Sequence, residues 1–135
     1  MMNIVHDTNC LLMSLSRRSC YYPIWCNFVD GKYTLCVTNE ILAEYEEILT
    51  QKVGQQIASN IIQALFDLPN TRMVQVYYHL RLITADPDDD KFVDCAFKAN
   101  AKYIVTQDHH YDVLRNIPFP QIEVLNIDEF LSVLQ

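Results

Sequence analysis

Four acidic side chains stand beside the predicted ends of strands or the predicted starts of helices: Asp7, Glu44, Asp89 and Asp108. The first and the last follow predicted strands, which end at residue 6 and near residue 106. The second and the third lie in the opening turns of predicted helices. In an open parallel sheet, ligands bind outside the carboxyl ends of the strands, where the crossover helices begin. We therefore expect the four carboxylates to converge at one edge of a sheet.

Carboxylates gathered in this way repel one another, and an acid turned toward a core is costly unless it is paired or bound to a metal. The sequence offers no obvious lysine or arginine partner for them. Oxygen ligands alone are the set that Mg²⁺ or Mn²⁺ prefers. Such a site can hydrolyse a phosphodiester without a side-chain nucleophile, because the metal activates water and stabilises the leaving oxygen. We therefore assign all four acids as candidate catalytic and metal-binding residues.

Helical phase separates Asp89 from its acidic neighbours. At about 100° per residue, Phe92 and Ala96 share one face of the helix that Asp86-Pro87 opens. Asp89 lies three and seven residues before them and belongs to the same inward face. Asp90 points roughly 100° to one side of it. The phase therefore favours Asp89 as the third acid of the site.

Each acid also has a simpler interpretation when it is taken alone. Asp7 and Asp108 could each cap a following helix, and acids near a helix start are stabilised by the helix dipole. Glu44 borders the apolar stripe of its helix, but surface helices are rich in glutamate. Only the combined placement favours a metal site. Four other polar residues are assigned elsewhere: His6 in the core, His109 and His110 at the surface, and Asp94 in solvent or as a supporting acid.

Strands and helices alternate along the chain. The predicted strands cover residues 3–6, 33–37, 73–76, 103–106 and 122–125. The predicted helices cover residues 10–16, 22–29, 39–49, 54–66, 86–100 and 108–114, and Asp128 is expected to cap a last one. This alternation is typical of a parallel sheet that is covered on both faces. We therefore predict an α/β fold, a three-layer α/β/α sandwich with a central parallel sheet.

Composition limits the classes of protein that are possible. A chain of 135 residues with 50% hydrophobic residues can bury a core, and we expect one domain over residues 1–135. No apolar run approaches the roughly 18 residues of a membrane span, and the first residues lack the features of a signal peptide. We expect a cytoplasmic protein with no membrane contact. Glycine occurs only at Gly31 and Gly54, which excludes glycine-rich phosphate loops.

The formal net charge of −7 is unusual for a protein that binds nucleic acid. Proteins that track phosphates usually carry a basic surface, and their affinity depends on lysine and arginine. Bound divalent cations can reverse the sign of the charge locally. Either the substrate is not a nucleic acid, or metal ions at the acidic edge make the site attractive to phosphate.

Short motifs in a fixed order make this chain resemble the PIN-domain family. Val5-His6-Asp7-Thr8-Asn9 is similar to the motif of the first family acid, and 38–45 is similar to the helix of the second. Asp86-Pro87-Asp88-Asp89-Asp90-Lys91-Phe92, with Ala96, resembles the segment of the third. Ile104-Val105-Thr106-Gln107-Asp108 resembles the motif of the fourth. The similarity spans residues 4–108 and is strongest to the VapC-like ribonucleases of the toxin branch.

The resemblance implies a PIN fold and an endoribonuclease that uses Mg²⁺ or Mn²⁺. It implies RNA as the substrate, a cognate antitoxin protein as the partner, and a homodimer. Asp7, Glu44 and Asp108 match three of the family acids, and the third position matches Asp89 or Asp90. Many members of the family carry a further acid where this chain has His110, so a fifth ligand is left open.

Alternatives from other classes stay open at this point. A PIN-like module without activity would act by binding proteins. A phosphatase of the haloacid-dehalogenase kind needs a second aspartate where this chain has Asn9. A receiver domain needs an acidic pair beside the first strand and a late lysine, whereas the late strand here ends in Thr106-Gln107-Asp108.

Overall fold

The computed structural model describes residues 1–83, 86–118 and 121–135. Its strands are β1 (Met2–His6), β2 (Tyr33–Val37), β3 (Thr71–Met73), β4 (Tyr103–Val105) and β5 (Val124–Leu125). Its α-helices are α1 (Thr8–Leu15), α2 (Tyr22–Val29), α3 (Asn39–Val53), α4 (Gln55–Asp67), α5 (Asp90–Ala99) and α6 (Ile127–Leu134). Two further segments are 3₁₀-helical: Pro87–Asp89 and His109–Asn116.

The strands form one sheet in the order β3-β2-β1-β4-β5, and every neighbouring pair is parallel. Ile4 and Val5 in β1 are both fully buried, and so are Ile104 and Val105 in β4. Successive side chains of a strand point to opposite faces of the sheet. Two consecutive buried apolar residues therefore show that both faces of the sheet are covered. Helix α5 packs on β1, β2 and β4, and α2 packs on β2. The predicted α/β fold with a central parallel sheet is confirmed.

The register of the two central strands decides where the acids lie. His6 at the end of β1 pairs with Val105 at the end of β4, and the Asp7 N–H donates to the Val105 carbonyl at 3.0 Å. The residues that follow, Asp7 and Thr106, therefore leave the sheet side by side. The carboxyl edge of the sheet thus brings the first and the last predicted acid into one neighbourhood, although about a hundred residues separate them in the chain.

His6 belongs to the core, as predicted. Its ring is 1% exposed and lies 5.4 Å from the ring of Phe130, centroid to centroid. Nε2 lies 2.9 Å from the Tyr33 hydroxyl, which itself donates to the Ile24 carbonyl. Burial lowers the pKa of His6 to about 3, so the ring is neutral. This histidine therefore packs as a neutral ring in the core at the end of β1.

Two predicted boundaries were wrong. The third strand lies at Thr71–Met73, not at residues 73–76, because its partner β2 ends at Val37. The N–H of Val74 still donates to the Val37 carbonyl, but the chain beyond has no strand to pair with. The last strand is limited to Val124–Leu125, since only these residues pair with β4.

The cap of the last helix also differs from the prediction. Asn126, not Asp128, accepts the N–H of Glu129, whose side chain in turn accepts the N–H of Asn126. This reciprocal capping box forms because Asn126 directly follows β5. Asp128 lies inside the first turn and accepts a hydrogen bond from the Tyr21 hydroxyl at 2.9 Å. Thr38 caps α3, since its side chain accepts the N–H of Ile41.

The segment after β3 is held by two acids of α5. Asp94 is 3% exposed and accepts the Leu80 N–H at 2.9 Å and a hydrogen bond from His79 Nδ1 at 3.0 Å. Asp90 accepts the Ile83 N–H at 2.8 Å. A backbone without a strand partner needs such acceptors. Of the two predicted places for Asp94, in solvent or as a supporting acid, the first was wrong, because its carboxylate is a buried anchor of this segment. No helix in the described part of the chain is long and apolar enough to cross a membrane.

Candidate active site

Asp7 is a buried carboxylate at the end of β1, with 8% of the residue exposed. Its Oδ1 accepts the Asn9 N–H at 3.1 Å and so caps α1. Its Oδ2 accepts the Thr106 hydroxyl at 2.6 Å. Burial raises the pKa of Asp7 most, these two hydrogen bonds oppose the rise, and the charges of Glu44 and Asp108 add to it. The Asp7 side chain thus both caps α1 and interacts with the other acids.

Thr106 connects the first predicted acid to the last. Its hydroxyl donates to Asp7 and accepts the Asp108 N–H at 3.0 Å. The residue is 3% exposed, so this connection is held away from water. Asp108 caps the 3₁₀ segment by accepting the His110 N–H at 2.8 Å, and its side chain remains 34% exposed. The Thr106 hydroxyl therefore fixes the spacing of two carboxylates.

Asp89 is the most strongly perturbed carboxylate of the group. Its side chain is 14% exposed, and its buried Oδ2 has no hydrogen-bond partner among the described residues. Burial raises its pKa to about 6, and the charges of Asp108, Asp86 and Asp7 add to the rise. A buried oxygen without a partner is costly. Asp89 thus presents an unsatisfied negative ligand atom toward the other acids.

His110 lies beside these carboxylates and not apart from them. Its Nδ1 is 3.2 Å from Asp108 Oδ1 and 3.4 Å from Asp89 Oδ2. One ligand atom each from Asp86, Asp89 and His110 lies within 4.8 Å of the others, the only such group of three found in the described part of the chain. The surface assignment of His110 was therefore incomplete. Its position two residues after Asp108 was the one sequence feature that could have indicated this proximity.

Glu44 also reaches the cluster, but with partners that were not predicted. Its Oε2 accepts a short hydrogen bond from the Thr8 hydroxyl, and its Oε1 lies 2.8 Å from Lys91 Nζ. The expectation that no lysine stands among the acids was wrong. Phase arguments within one helix could not reveal this pair, because α3 carries one partner and α5 the other.

The buried hydroxyl of Tyr111 lies within electrostatic range of all four predicted acids. Its pKa is raised well above the usual range, first by burial and then by the charges of Asp7, Asp89, Asp108 and Glu44. The hydroxyl donates to the Asp89 carbonyl at 3.2 Å. Four carboxylates from four separate segments therefore act electrostatically on one buried hydroxyl. Sequence patterns gave no reason to select Tyr111.

A parallel sheet of this order with acids at its carboxyl edge defines an α/β protein with an acidic ligand site. A family model described as PIN domain matches residues 3–110. The chain belongs to the PIN domain family.

Solved structures of the same fold include two DNA-bound VapBC structures and a VapC toxin. Over 93% of this chain and 98% of the other, the fold matches VapBC2 from Rickettsia felis bound to a promoter DNA fragment, with 15% identity and a TM-score of 0.64. DNA-bound VapBC from Salmonella typhimurium matches over 94% and 99%, with 12% identity and a TM-score of 0.64. VapC20 from Mycobacterium tuberculosis, a toxin that cleaves the sarcin–ricin loop, matches over 88% and 98%, with 13% identity and a TM-score of 0.57. No curated protein matches this chain in sequence.

Proposed function

We propose that this protein is a metal-dependent endoribonuclease that hydrolyses RNA phosphodiester bonds and serves as the toxin of a toxin–antitoxin pair. The observation that carries the proposal is the set of contacts that links the acids at the sheet edge: the Thr106 hydroxyl joins Asp7 to Asp108, and the His110 ring lies within 3.4 Å of both Asp108 and Asp89. Membership of the PIN domain family and the toxin folds among similar structures support it.

The residues present fit a divalent cation. Asp89 Oδ2 is buried without a hydrogen bond, and burial, with mutual repulsion as a smaller cause, raises the pKa values of Asp89 and Asp7. Both features are relieved when a cation binds carboxylates. Among the described residues only Asp86, Asp89 and His110 bring three ligand atoms within 4.8 Å of one another. We propose that the predicted ligands Asp7, Asp89 and Asp108 would close around Mg²⁺ or Mn²⁺, with Glu44 as the predicted fourth acid. The metal would supply activation of a water molecule and neutralisation of charge on the phosphate.

The chain itself supplies the geometry. Thr106 and Asn9 fix both oxygens of Asp7, so this carboxylate keeps one orientation while substrate binds. His110 stands between Asp89 and Asp108 and restrains the spacing of the two. Such preorganisation matters because a site that is already arranged needs no reorganisation when charge develops on the phosphate. None of these residues has to act as a nucleophile.

Removal of the metal gives the direct test of this function. We expect cleavage of a single-stranded RNA in Mg²⁺ or Mn²⁺ and complete loss of cleavage in EDTA, restored when the metal is added back. The physical reason is the repulsion among the metal-free carboxylates, which would also repel phosphate. Equal cleavage in EDTA would refute the metal mechanism. No cleavage with either metal would favour the alternative of an inactive PIN-like module that binds proteins.

The partner that we propose is a small antitoxin protein with a basic inhibitory segment. The chain has a formal net charge of −7, and the candidate site concentrates negative charge. An arginine or lysine placed there would neutralise several carboxylates at once. We also propose that the protein forms a homodimer and acts in the cytoplasm, as the family resemblance implies.

The product of the neighbouring gene is the natural candidate for this partner. In a pull-down with that protein, we expect binding to weaken as salt rises, because complementary charge drives the encounter. Added Mg²⁺ should weaken binding as well, since metal and inhibitor would compete for the same carboxylates. A partner that binds without regard to salt or metal, and leaves RNA cleavage intact, would show that inhibition does not run through this site.

A further inference from the structure

Both carboxylate oxygens of Glu44 are already engaged. Oε2 accepts the hydroxyl of Thr8, which is 5% exposed, and Oε1 pairs with Lys91 Nζ at 2.8 Å. Each oxygen keeps a lone pair, but the ammonium charge of Lys91 offsets the charge of Glu44, so Glu44 attracts a cation less strongly than an unpaired carboxylate does. Among the described residues, Asp89 has no lysine or hydroxyl partner: its buried Oδ2 meets only the His110 ring, whose Nδ1 lies 3.4 Å away. The two acids therefore differ in what they offer a cation.

The ammonium group of Lys91 is held at a defined position. Besides the contact with Glu44, Nζ donates to the Asp88 carbonyl at 2.7 Å. Only 15% of the side chain is exposed, which is low for a lysine. An ammonium has three donors, and among the described residues two of them are used. One N–H of an oriented, partly buried cation thus remains for an anion.

Lys91 also stands between the acidic cluster and a neighbouring cavity. A cavity of about 490 Å³ is lined by His79, Arg81 and Lys91 together with acids of α3 and α5. Asp90 and Asp94 in its lining are already committed to backbone N–H groups of the segment after β3. Lys91 is therefore the cation of this cavity that also contacts one of the four predicted acids.

We propose that Lys91 binds a phosphate oxygen of the RNA strand at the border of the site, and that Glu44 positions Lys91 and does not ligate the metal. The proposal rests on the proposed function and deepens it. An oriented ammonium beside the metal-binding carboxylates would stabilise charge on the phosphate, where a charge-assisted hydrogen bond is strong. Glu44 and the Asp88 carbonyl keep it in place by an ion pair and a hydrogen bond.

The test compares Lys91→Met, Lys91→Arg and Glu44→Gln with a matched control, Lys52→Met, which alters an exposed lysine at the end of α3. The first measurement is the affinity of each variant for a single-stranded oligonucleotide with uncleavable linkages, by fluorescence anisotropy at a Mn²⁺ concentration that saturates every variant. We expect Lys91→Met and Glu44→Gln to lose about tenfold or more in affinity, and Lys91→Arg to keep most of it. Lys52→Met should match the wild-type protein. Equal affinity of Lys91→Met and Lys52→Met would overturn the phosphate contact.

The second measurement is Mn²⁺ affinity, by titration of the metal-free proteins. We expect Glu44→Gln to bind Mn²⁺ within about threefold of the wild-type protein, because this substitution would remove no metal ligand. A loss of about tenfold or more would identify Glu44 as a ligand and overturn its positioning role. The double variant Lys91→Met/Glu44→Gln should bind the oligonucleotide no more weakly than Lys91→Met alone, since the two residues act as one unit. An additive loss would also contradict the proposal.

Cleavage is measured separately, so that the two hypotheses can fail independently. A wild-type protein that binds the oligonucleotide through Lys91 but cleaves no RNA with any metal would refute the proposed function and leave the phosphate contact established. A protein that cleaves RNA at the same saturated rate and with the same affinity after Lys91→Met would refute the role of Lys91 and leave the nuclease standing. Melting temperatures of all variants, compared with Lys52→Met, identify any that fail to fold.

Discussion

Asp7→Asn should lower the rate of metal-dependent RNA cleavage by at least about 100-fold, because the metal contribution to such reactions is worth several kcal/mol. The same substitution should keep or raise the melting temperature of the metal-free protein. Asparagine caps a helix as well as aspartate does, so the contact with the Asn9 N–H can persist. The neutral side chain also removes repulsion from Glu44 and Asp108, which contributes to the raised pKa of Asp7.

The measurements are single-turnover cleavage and thermal denaturation in EDTA, with Asp30→Asn as the matched control. Asp30 is an exposed aspartate at the end of α2. It lies just before the amino-terminal end of β2, whereas the candidate site lies at the carboxyl ends of the strands. Asp30→Asn should leave the cleavage rate unchanged. A large fall in metal-free stability with little loss of cleavage would show that Asp7 is a structural cap and no more.

Topology explains why so much of the site could be predicted. The alternation of strands and helices predicted a parallel sheet, and a parallel sheet brings the carboxyl ends of its strands to one edge. Asp7 and Asp108 follow β1 and β4, which are neighbours in the observed order. Their proximity therefore follows from the strand order and needs no knowledge of side chains.

The unpredicted parts depend on contacts between separate elements. Lys91 pairs with Glu44 because α3 and α5 pack side by side, and no pattern within either helix encodes that approach. The 3₁₀ geometry after Asp108 turns His110 back toward Asp89, whereas helical neighbours were expected to diverge at the surface. Strand limits were missed for a similar reason, since pairing with β2 and not local composition ends the third strand at Met73. Asp94 was misplaced because its partners, the Leu80 N–H and the His79 ring, belong to a loop.

The choice between Asp89 and Asp90 gives the second large effect. Asp89→Asn should reduce metal-dependent cleavage by at least about 100-fold, since it removes a ligand of the proposed cation. Asp90→Asn should stay within about threefold of the wild-type rate, because its Oδ1 accepts the Ile83 N–H and an amide oxygen can do the same. The two variants carry the same substitution at adjacent positions, so each serves as the control for the other. The reverse order of activities would show that Asp90 is the acid of the site.

The free energy of unfolding should depend on pH through the ionisation of Asp89. Burial and the charges of Asp108 and Asp86 raise the pKa of Asp89 to about 6, above its usual value of 3.8. The folded protein therefore holds this proton more tightly than the unfolded chain does, which favours folding at low pH. This contribution is lost as the pH rises from about 4 through about 6, where the carboxylate ionises in the folded state. Metal-free Asp89→Asn should consequently be more stable than the wild-type protein at pH 7.

The advantage of Asp89→Asn should disappear below about pH 4, where both Asp89 and its asparagine replacement are neutral. Thermal denaturation in EDTA from about pH 3.5 to about pH 7.5, for wild-type, Asp89→Asn and Asp90→Asn proteins, measures this difference. Saturating Mn²⁺ at pH 7 should reverse the order, because a ligand that binds only the folded state stabilises it and Asp89→Asn binds less of it. An advantage of Asp89→Asn that is constant with pH would contradict the ionisation argument. An order that Mn²⁺ does not reverse would mean that Asp89 repels its neighbours without holding a metal.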